Sequence, residues 1–441
     1  MPETHPTFRA AFRFWLKLGF ISFGGPAGQI AIMHTELVEK QRWISEERFM
    51  HALNYCMLLP GPEAQQLAVY CGWLLHRTWG GIVAGVLFVL PAAFLLWGLS
   101  WIYAAYGQVP AIAAIFYGLK PAVTAIVTIA LFRIGRRTLK TKLLWGVAAA
   151  AFAAIFLLRI PFPIIVIGAA LVGLLSSRWT ELTPNAVAEV AGESALRSTR
   201  STSEIVIDDA YSPPAHVRPT WARAVKVIGV SLFFWWTPVL FVGWWQGWDS
   251  TLAQEGIFFS KAAMVTFGGA YAVLPYVGQQ AVEHFGWLTA PQMLDGLGLA
   301  ETTPGPLIMV VQFTGFLGGW NHPGALSPLL AGTLGALITT WTTFVPCFLW
   351  IFLGAPHIEQ LRGNVLVGRA LTAVTAAVVG VILNLAVWFG WQVLVPARGV
   401  VDWFALVLGV VAFAAMQRFK IGVVPVVLAS GVVGLGWHAL S

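Results

Sequence analysis

The sequence predicts an all-α polytopic membrane protein built from two inverted repeats. Three features carry this: an apolar excess, a ladder of hydrophobic stretches, and the return of the same helix-breaking motifs 244 positions later. Of 441 residues, 58% are hydrophobic and 10% charged, with mean hydropathy +0.76, about half the charge of a soluble domain. A helical crossing needs about 20 apolar residues. The stretches run unbroken instead of alternating with period two, which argues against a β-barrel. Cys56, Cys71 and Cys347 lie in apolar surroundings without a CxxC, as packed thiols do. The nine histidines form no HxxxH or HExxH pairing, and no P-loop or GxGxxG occurs. No metal site, cofactor or enzyme activity is therefore expected. The opening MPETHPTFRAAFRFW places an acid and prolines ahead of any apolar run, so no removable signal is expected.

Along the chain, apolar stretches fall near 8–33, 48–75, 79–105, 109–133, 143–158 and 162–177. These make a first transmembrane repeat, residues 1–177. Residues 178–222 are polar, mixed in charge and rich in Ser, Thr and Pro, the composition of a flexible linker. One connecting span follows at 223–247. The second repeat, 248–441, has stretches near 257–280, 293–318, 327–353, 365–391, 401–416 and 420–438. Counted as crossings, six, one and six make thirteen. The stretches at 143–158 and 162–177 are short for crossing and could form a re-entrant pair.

An ungapped comparison of 23–62 with 267–306 gives 10 identities in 40 positions, gathered into FGG and PGP at the two ends. Such clustering marks an internal repeat. An 11-residue shift near NHPGALSPLLA then aligns Pro91 with Pro346. Charge reverses between the repeats. Arg133, Arg136, Arg137, Lys140 and Lys142 follow the fourth stretch of the first half, where the second half has only Arg398 beside Asp402. Conversely, the connection between the third and fourth stretches is uncharged in the first half, whereas its counterpart carries Arg362 and Arg369, and Arg418 and Lys420 follow two stretches later. By the positive-inside tendency the halves face opposite ways, with the N-terminus and linker cytoplasmic and the C-terminus outside. The 34–48 connection, with Lys40, Arg42 and Arg48, fits poorly, because this count assigns it to the outside.

Inverted repeats with interrupted helices point to a transport site near the membrane midplane. Glycine pairs in FGGP at 23–26 and FGGA at 267–270 loosen the helix, and PGP at 60–62 and 304–306 removes two backbone donors at each point. Such backbone must be buried in protein or line a wet cavity. A helix that restarts there offers free N–H groups and a positive dipole end to an anion. The alternative is that these motifs only kink helices for packing. Glu63, in the first turn after PGP, could cap that turn or couple to protons, with Gln65 and Gln66 beside it; Glu301 precedes the second PGP, with Thr302 and Thr303 between. Lys120 and Lys261 are candidate cations for an anion, or snorkelling side chains. Arg9, Arg13 and Lys17 form one basic stripe, suited to anionic lipid or to funnelling anions toward FGGP. The 22 tryptophans fit interfacial anchors, and Gly81 with Gly85 a packing motif.

SFGGPAGQIAIMHTELVEKQRWISEERFMHALNYCMLLPGPEAQQLAVYCGWLLH at 22–76, VTFGGAYAVLPYV at 265–277 and AETTPGPLIMVVQFTGF at 300–316 resemble the long, two-domain form of the chromate ion transporter family. The resemblance covers both halves, roughly 8–177 and 257–440, and omits the linker. It implies a bacterial inner-membrane exporter that confers chromate resistance, a secondary transporter of a tetrahedral oxyanion. The family's motif residues fall on Gly24, Gly25, Pro60, Gly61 and Pro62, and on Gly268, Gly269, Pro304, Gly305 and Pro306. With Glu63, Gln66, Thr303 and Lys120 these make the expected substrate-binding set. Ala270 stands where the first half has Pro26, and Leu307 where it has Glu63, which weights the site toward the first half. The expected partners are chromate or sulfate and membrane lipid, with a homodimer allowed and no nucleic acid.

Overall fold

A computed structural model describes residues 5–23, 25–176, 220–267, 269–355, 365–396 and 399–440. Gly24, Gly268, Arg362, Arg398 and all but the last residues of the 178–222 linker lie outside the described residues. The described residues form sixteen α-helices and no strands. In the first half these are α1 (Phe8–Ile21), α2 (Gly25–His34), α3 (Glu46–Cys56), α4 (Glu63–Tyr106), α5 (Pro110–Thr138), α6 (Lys142–Phe156) and α7 (Phe162–Leu175). A lone α8 (Trp221–Gln246) leads to α9 (Thr251–Val265), α10 (Ala270–Gln279), α11 (Ala290–Thr302), α12 (Val310–Asn321), α13 (Pro328–Gly354), α14 (Val365–Leu394), α15 (Trp403–Gln417) and α16 (Val423–Leu440). Non-helical angles at His76 and Arg77 split α4 into arms 63–75 and 78–106. Counting the arms separately, each half holds eight helices in matching order, around α8.

The matching extends to unusual backbone. Arg42 and Gly286, Gly61 and Gly305, and Arg159 and Lys420 are repeat-equivalent pairs, and all six have positive φ. Among the described residues, six helices are long and apolar enough to cross a membrane: α4, α5, α8, α13, α14 and α16.

The stretches broken by FGG and PGP do not run straight on in the way the count of thirteen crossings expects. They fold back as hairpins, two in each half. Phe14 of α1 meets Trp43 beyond α2 at 5.2 Å between ring centres, and Lys17 Nζ lies 3.8 Å from Glu36. In the second half Phe259 of α9 stacks on Trp287 at 6.0 Å, and the Asn321 amide at the end of α12 donates to the Trp287 carbonyl just before α11 at 2.9 Å. The left-handed φ of Gly25 (69°) and Gly269 (92°) turns the chain back at each FGG. The second hairpin of each half turns at PGP, where Gly61 and Gly305 have φ of 123° and 109°. With hairpins, the 34–48 loop returns to the face that holds the N-terminus, so its awkward Lys40, Arg42 and Arg48 join the other bases.

At the membrane faces Thr7, Ser45, Thr141, Thr220, Ser250, Thr289, Ser327 and Asp402 each cap a helix by accepting a backbone N–H. In the centre α4 starts at Pro62 and α10 at Gly269, with no side-chain cap. α5 and α7 also start without a side-chain cap, after Val109 and Pro161, each with a proline in its first turn.

The two halves are bonded to each other at the hairpin tips. The Gly61 N–H donates to the Thr266 carbonyl at 2.7 Å, and the Gly305 N–H donates to the Ser22 carbonyl at 2.8 Å. Ser22 and Thr266 are equivalent, so the pair of bonds obeys the pseudo-two-fold relation. Gln29 adds an amide donation to the Gly305 carbonyl, and Gln66 donates to the Pro60 carbonyl at 2.8 Å. Beyond the tips, α6 and α7 lie along α14, and α15 and α16 lie along α5, so each half's last hairpin packs on the other half.

Candidate functional site

A cavity of 840 Å³ opens between the halves. Its inner end is formed by the starts of three helices: Gly25 and Pro26 of α2, Glu63 of α4, and Gly269, Ala270 and Tyr271 of α10. Its walls are the second half of α5, the first half of α14 and the turn between α15 and α16. Its mouth carries Arg133, Arg136 and Arg137 at the end of α5 and Lys420 in the turn. Arg133, Arg136, Arg137 and Lys420 are all exposed. Bases in the last turn of α5 also complement that helix's dipole. Together they give a positive entrance leading to three positive helix ends, an arrangement that draws anions inward.

Two carboxyls lie in this cavity. Glu301 accepts a hydrogen bond from the Tyr271 hydroxyl at 2.5 Å, and the charge of Arg133 reaches both residues. The Glu63 carboxyl lies beside Gly269, where a Cβ would come within 3.5 Å of its Oε1. A side chain at 269 would touch that carboxyl at ordinary contact distance, and the φ of 92° is what reserves the position for glycine.

The structure sorts the expected residues into three groups. Gly25, Glu63 and Gly269 line the cavity. Pro60, Gly61, Pro62, Gln66, Thr303, Pro304, Gly305 and Pro306 lie behind it, as the junction between the halves. Thr303 is buried with its hydroxyl donating to the Ala300 carbonyl at 3.2 Å, and Gln66 is fully buried. The glycine N–H groups of both PGP motifs, expected to be free for an anion, are already used in bonding the opposite half. The third group faces elsewhere. Lys120 Nζ pairs with Asp295 of α11 at 3.6 Å, and the Tyr103 hydroxyl of α4 donates to the same Asp295 oxygen at 2.8 Å. Lys261 is exposed on α9, Arg9 and Arg13 are exposed on α1, and Lys17 turns to Glu36.

Asp295 was not singled out in the sequence, although an acid inside an apolar stretch is the signal that would have found it. Tyr271 had no such signal. In the sequence, Arg133, Arg136 and Arg137 speak only for topology. Glu255, fully buried on α9 with neither oxygen hydrogen-bonded, lies between Gly318 and Gly335, away from the cavity.

The Lys120 and Asp295 pair supplies a test. Removing one partner of a buried pair strands the other charge, at about 3–5 kcal/mol, whereas removing both is far milder. Lys120→Met and Asp295→Asn are each expected to lower the amount of folded, transport-competent protein, and the double variant to recover most of it. Fluorescence-detected gel filtration with uptake on the same samples checks this; a double variant that folds but does not transport would return Lys120 to the substrate path.

Compared with known proteins, the chain matches the family model described as chromate transporter over residues 9–174 and 254–435. It is 31% identical over 437 residues to a chromate transport protein of Pseudomonas aeruginosa, covering 98% of this chain and 92% of that protein. It is 30% identical over 396 residues to a probable chromate transport protein of Synechococcus elongatus, covering 88% and 87%. Its identity to a chromate transport protein of Cupriavidus metallidurans is 28% over 426 residues, covering 95% and 90%. No solved structure matches it.

Proposed function

Because this chain belongs to the chromate transporter family, we propose that it exports chromate from the cytoplasm by alternating access, conferring resistance, with the cavity as its inward-open binding site. The observation that carries this reading is the cavity itself, which leads from a cluster of four cations to the starts of α2, α4 and α10. Helix N-termini suit a tetrahedral dianion because their N–H groups and dipole ends are fixed before it arrives.

The orientation follows from charge. The face holding the cavity mouth also holds Lys40, Arg42, Arg48 and Arg418, while the turns of the opposite face hold Arg159 with Asp249 and Glu283. By the positive-inside tendency the mouth faces the cytoplasm, the N-terminus and linker lie there, and the C-terminus lies in the periplasm of a bacterial inner membrane. Energetics agree with export. With the cytoplasm negative, outward movement releases about 2.3 kcal/mol per charge per 100 mV, or roughly 4.6 kcal/mol for a dianion. That sustains a gradient of about a thousandfold without a coupling ion.

Radiolabelled chromate uptake into everted membrane vesicles tests the proposal. Uptake is expected only with the protein present, rising with an interior-positive potential, and excess sulfate reports selectivity by competition. No uptake under either a potential or a pH gradient would refute chromate as substrate.

A further inference from the structure

On the opposite face a second pocket, of 150 Å³, lies between α6, α10 and α14. Most of its lining is the repeat image of part of the cavity. The helix boundaries set the register: α5 maps onto α14 with an offset of 255, and α6 and α7 map onto α15 and α16 with an offset of 261. In the last pair the identities include Ala151 with Ala412, Phe152 with Phe413 and Gly173 with Gly434. By these offsets the cavity's Met416, Gln417 and Lys420 correspond to Ile155, Phe156 and Arg159, and all three line the small pocket. Likewise Ile129, Ala130 and Arg133 correspond to Asn384, Leu385 and Trp388, which line it too. Six of its nine lining residues are thus images of cavity residues; the other three, Pro275, Gln279 and Glu283, come from α10 and its continuation, the image of α2.

We propose that this pocket is the closed exit vestibule of the same transport path, and that the outward-open state is reached when the two halves exchange conformations so that it takes the volume now held by the cavity. This rests on the alternating-access reading above. An inverted repeat supplies both end states from one fold, because each half can adopt the arrangement its twin now has. The closed side is also where Lys120 pairs with Asp295; the image of Lys120 is Thr375, which lines the open cavity. Lys120 and Asp295 therefore hold α5 against α11 on the shut side.

The charges of the two vestibules differ. The entrance cations Arg133, Arg136 and Arg137 have Trp388, Trp391 and Gln392 as images, leaving Arg159 as the counterpart of Lys420, in a pocket shared with Glu283. A dianion meets four cations on entry and, at the exit, one cation with an acid beside it. The exit side holds the anion weakly and releases it.

Thiol accessibility decides the matter. Cys56, Cys71 and Cys347 are all buried, so background labelling is low. Asn384→Cys and, on the facing helix, Gln279→Cys are treated with a membrane-impermeant maleimide in right-side-out and everted vesicles, alongside Ile129→Cys in the cavity. The first two are expected to react only from the periplasmic side and Ile129→Cys only from the cytoplasmic side. Adding Ile129→Trp, which fills the cavity, is expected to raise labelling at 384 and 279 at least threefold. If neither 384 nor 279 reacts from outside, with or without Ile129→Trp, in protein present in the membrane, the vestibule is wrong. Labelling that alternates in vesicles without chromate uptake would leave the vestibule standing and remove chromate instead.

Discussion

Gly61→Leu and Gly305→Leu each reduce chromate uptake at least a hundredfold while the amount of protein in the membrane stays within about twofold. Both glycines have φ values closed to other residues, 123° and 109°, and forcing a side chain there costs about 1–3 kcal/mol before any contact is counted. Contacts add to this. A Cβ at Gly61 would strike Cys347 Sγ and the Gln66 amide, and one at Gly305 would strike Ala92. Each glycine also donates the N–H that bonds the other half, so either substitution moves the hairpin tip from its seat on the carbonyl of Thr266 or Ser22. Insertion is governed by the apolar length of the segments and is unaffected. Uptake by vesicles, with quantitative blotting and melting of the purified protein, checks the set; near-normal uptake by both variants would remove the PGP junction from the mechanism.

Replacing Arg136, Arg137 and Lys420 together by Gln raises the KM for chromate at least tenfold and changes kcat less than threefold. These three exposed cations form the cavity mouth, and a focused positive field raises anion capture by about 10-fold to 1,000-fold. Their work ends once the anion reaches the helix starts, which is why the turnover step is spared. The wild-type KM rises with ionic strength because a Debye length of about 8 Å at physiological salt screens such a field, whereas the triple variant loses that dependence. An unchanged KM in the triple variant would assign these bases to topology alone.

The sequence carried the repeat, its inversion and the four breaks, because glycine and proline pairs within apolar runs leave few backbone options. Gly25, Glu63 and Gly269 were legible as cavity residues for the same reason. The direction of the chain at each break was not. Hydropathy measures length, and a run such as 8–33 has enough apolar residues to cross or to return; what decides is the left-handed φ at Gly25 and Gly269. The clue was the misfit of Lys40, Arg42 and Arg48, which the hairpins resolve by bringing that loop back to the basic face. Lys120 illustrates a different gap. Its partner Asp295 lies 175 positions away, on a helix of the other half, and no local pattern links them.

The two glycine amides bonded across the pseudo-axis bear on leakage. A conformer open at both faces would make the protein an ion channel and short-circuit the membrane. To reach it the hairpin tips must part, and parting breaks both bonds, Gly61 to Thr266 and Gly305 to Ser22, in the same step. Each broken bond leaves a donor and an acceptor unpaired where water is scarce, at about 1–3 kcal/mol per group. Two bonds placed as images of each other can survive an exchange between the two one-sided states, since the exchange maps one onto the other. In the alternating access proposed above they would penalise only the doubly open conformer, and so act as the insulation of the carrier.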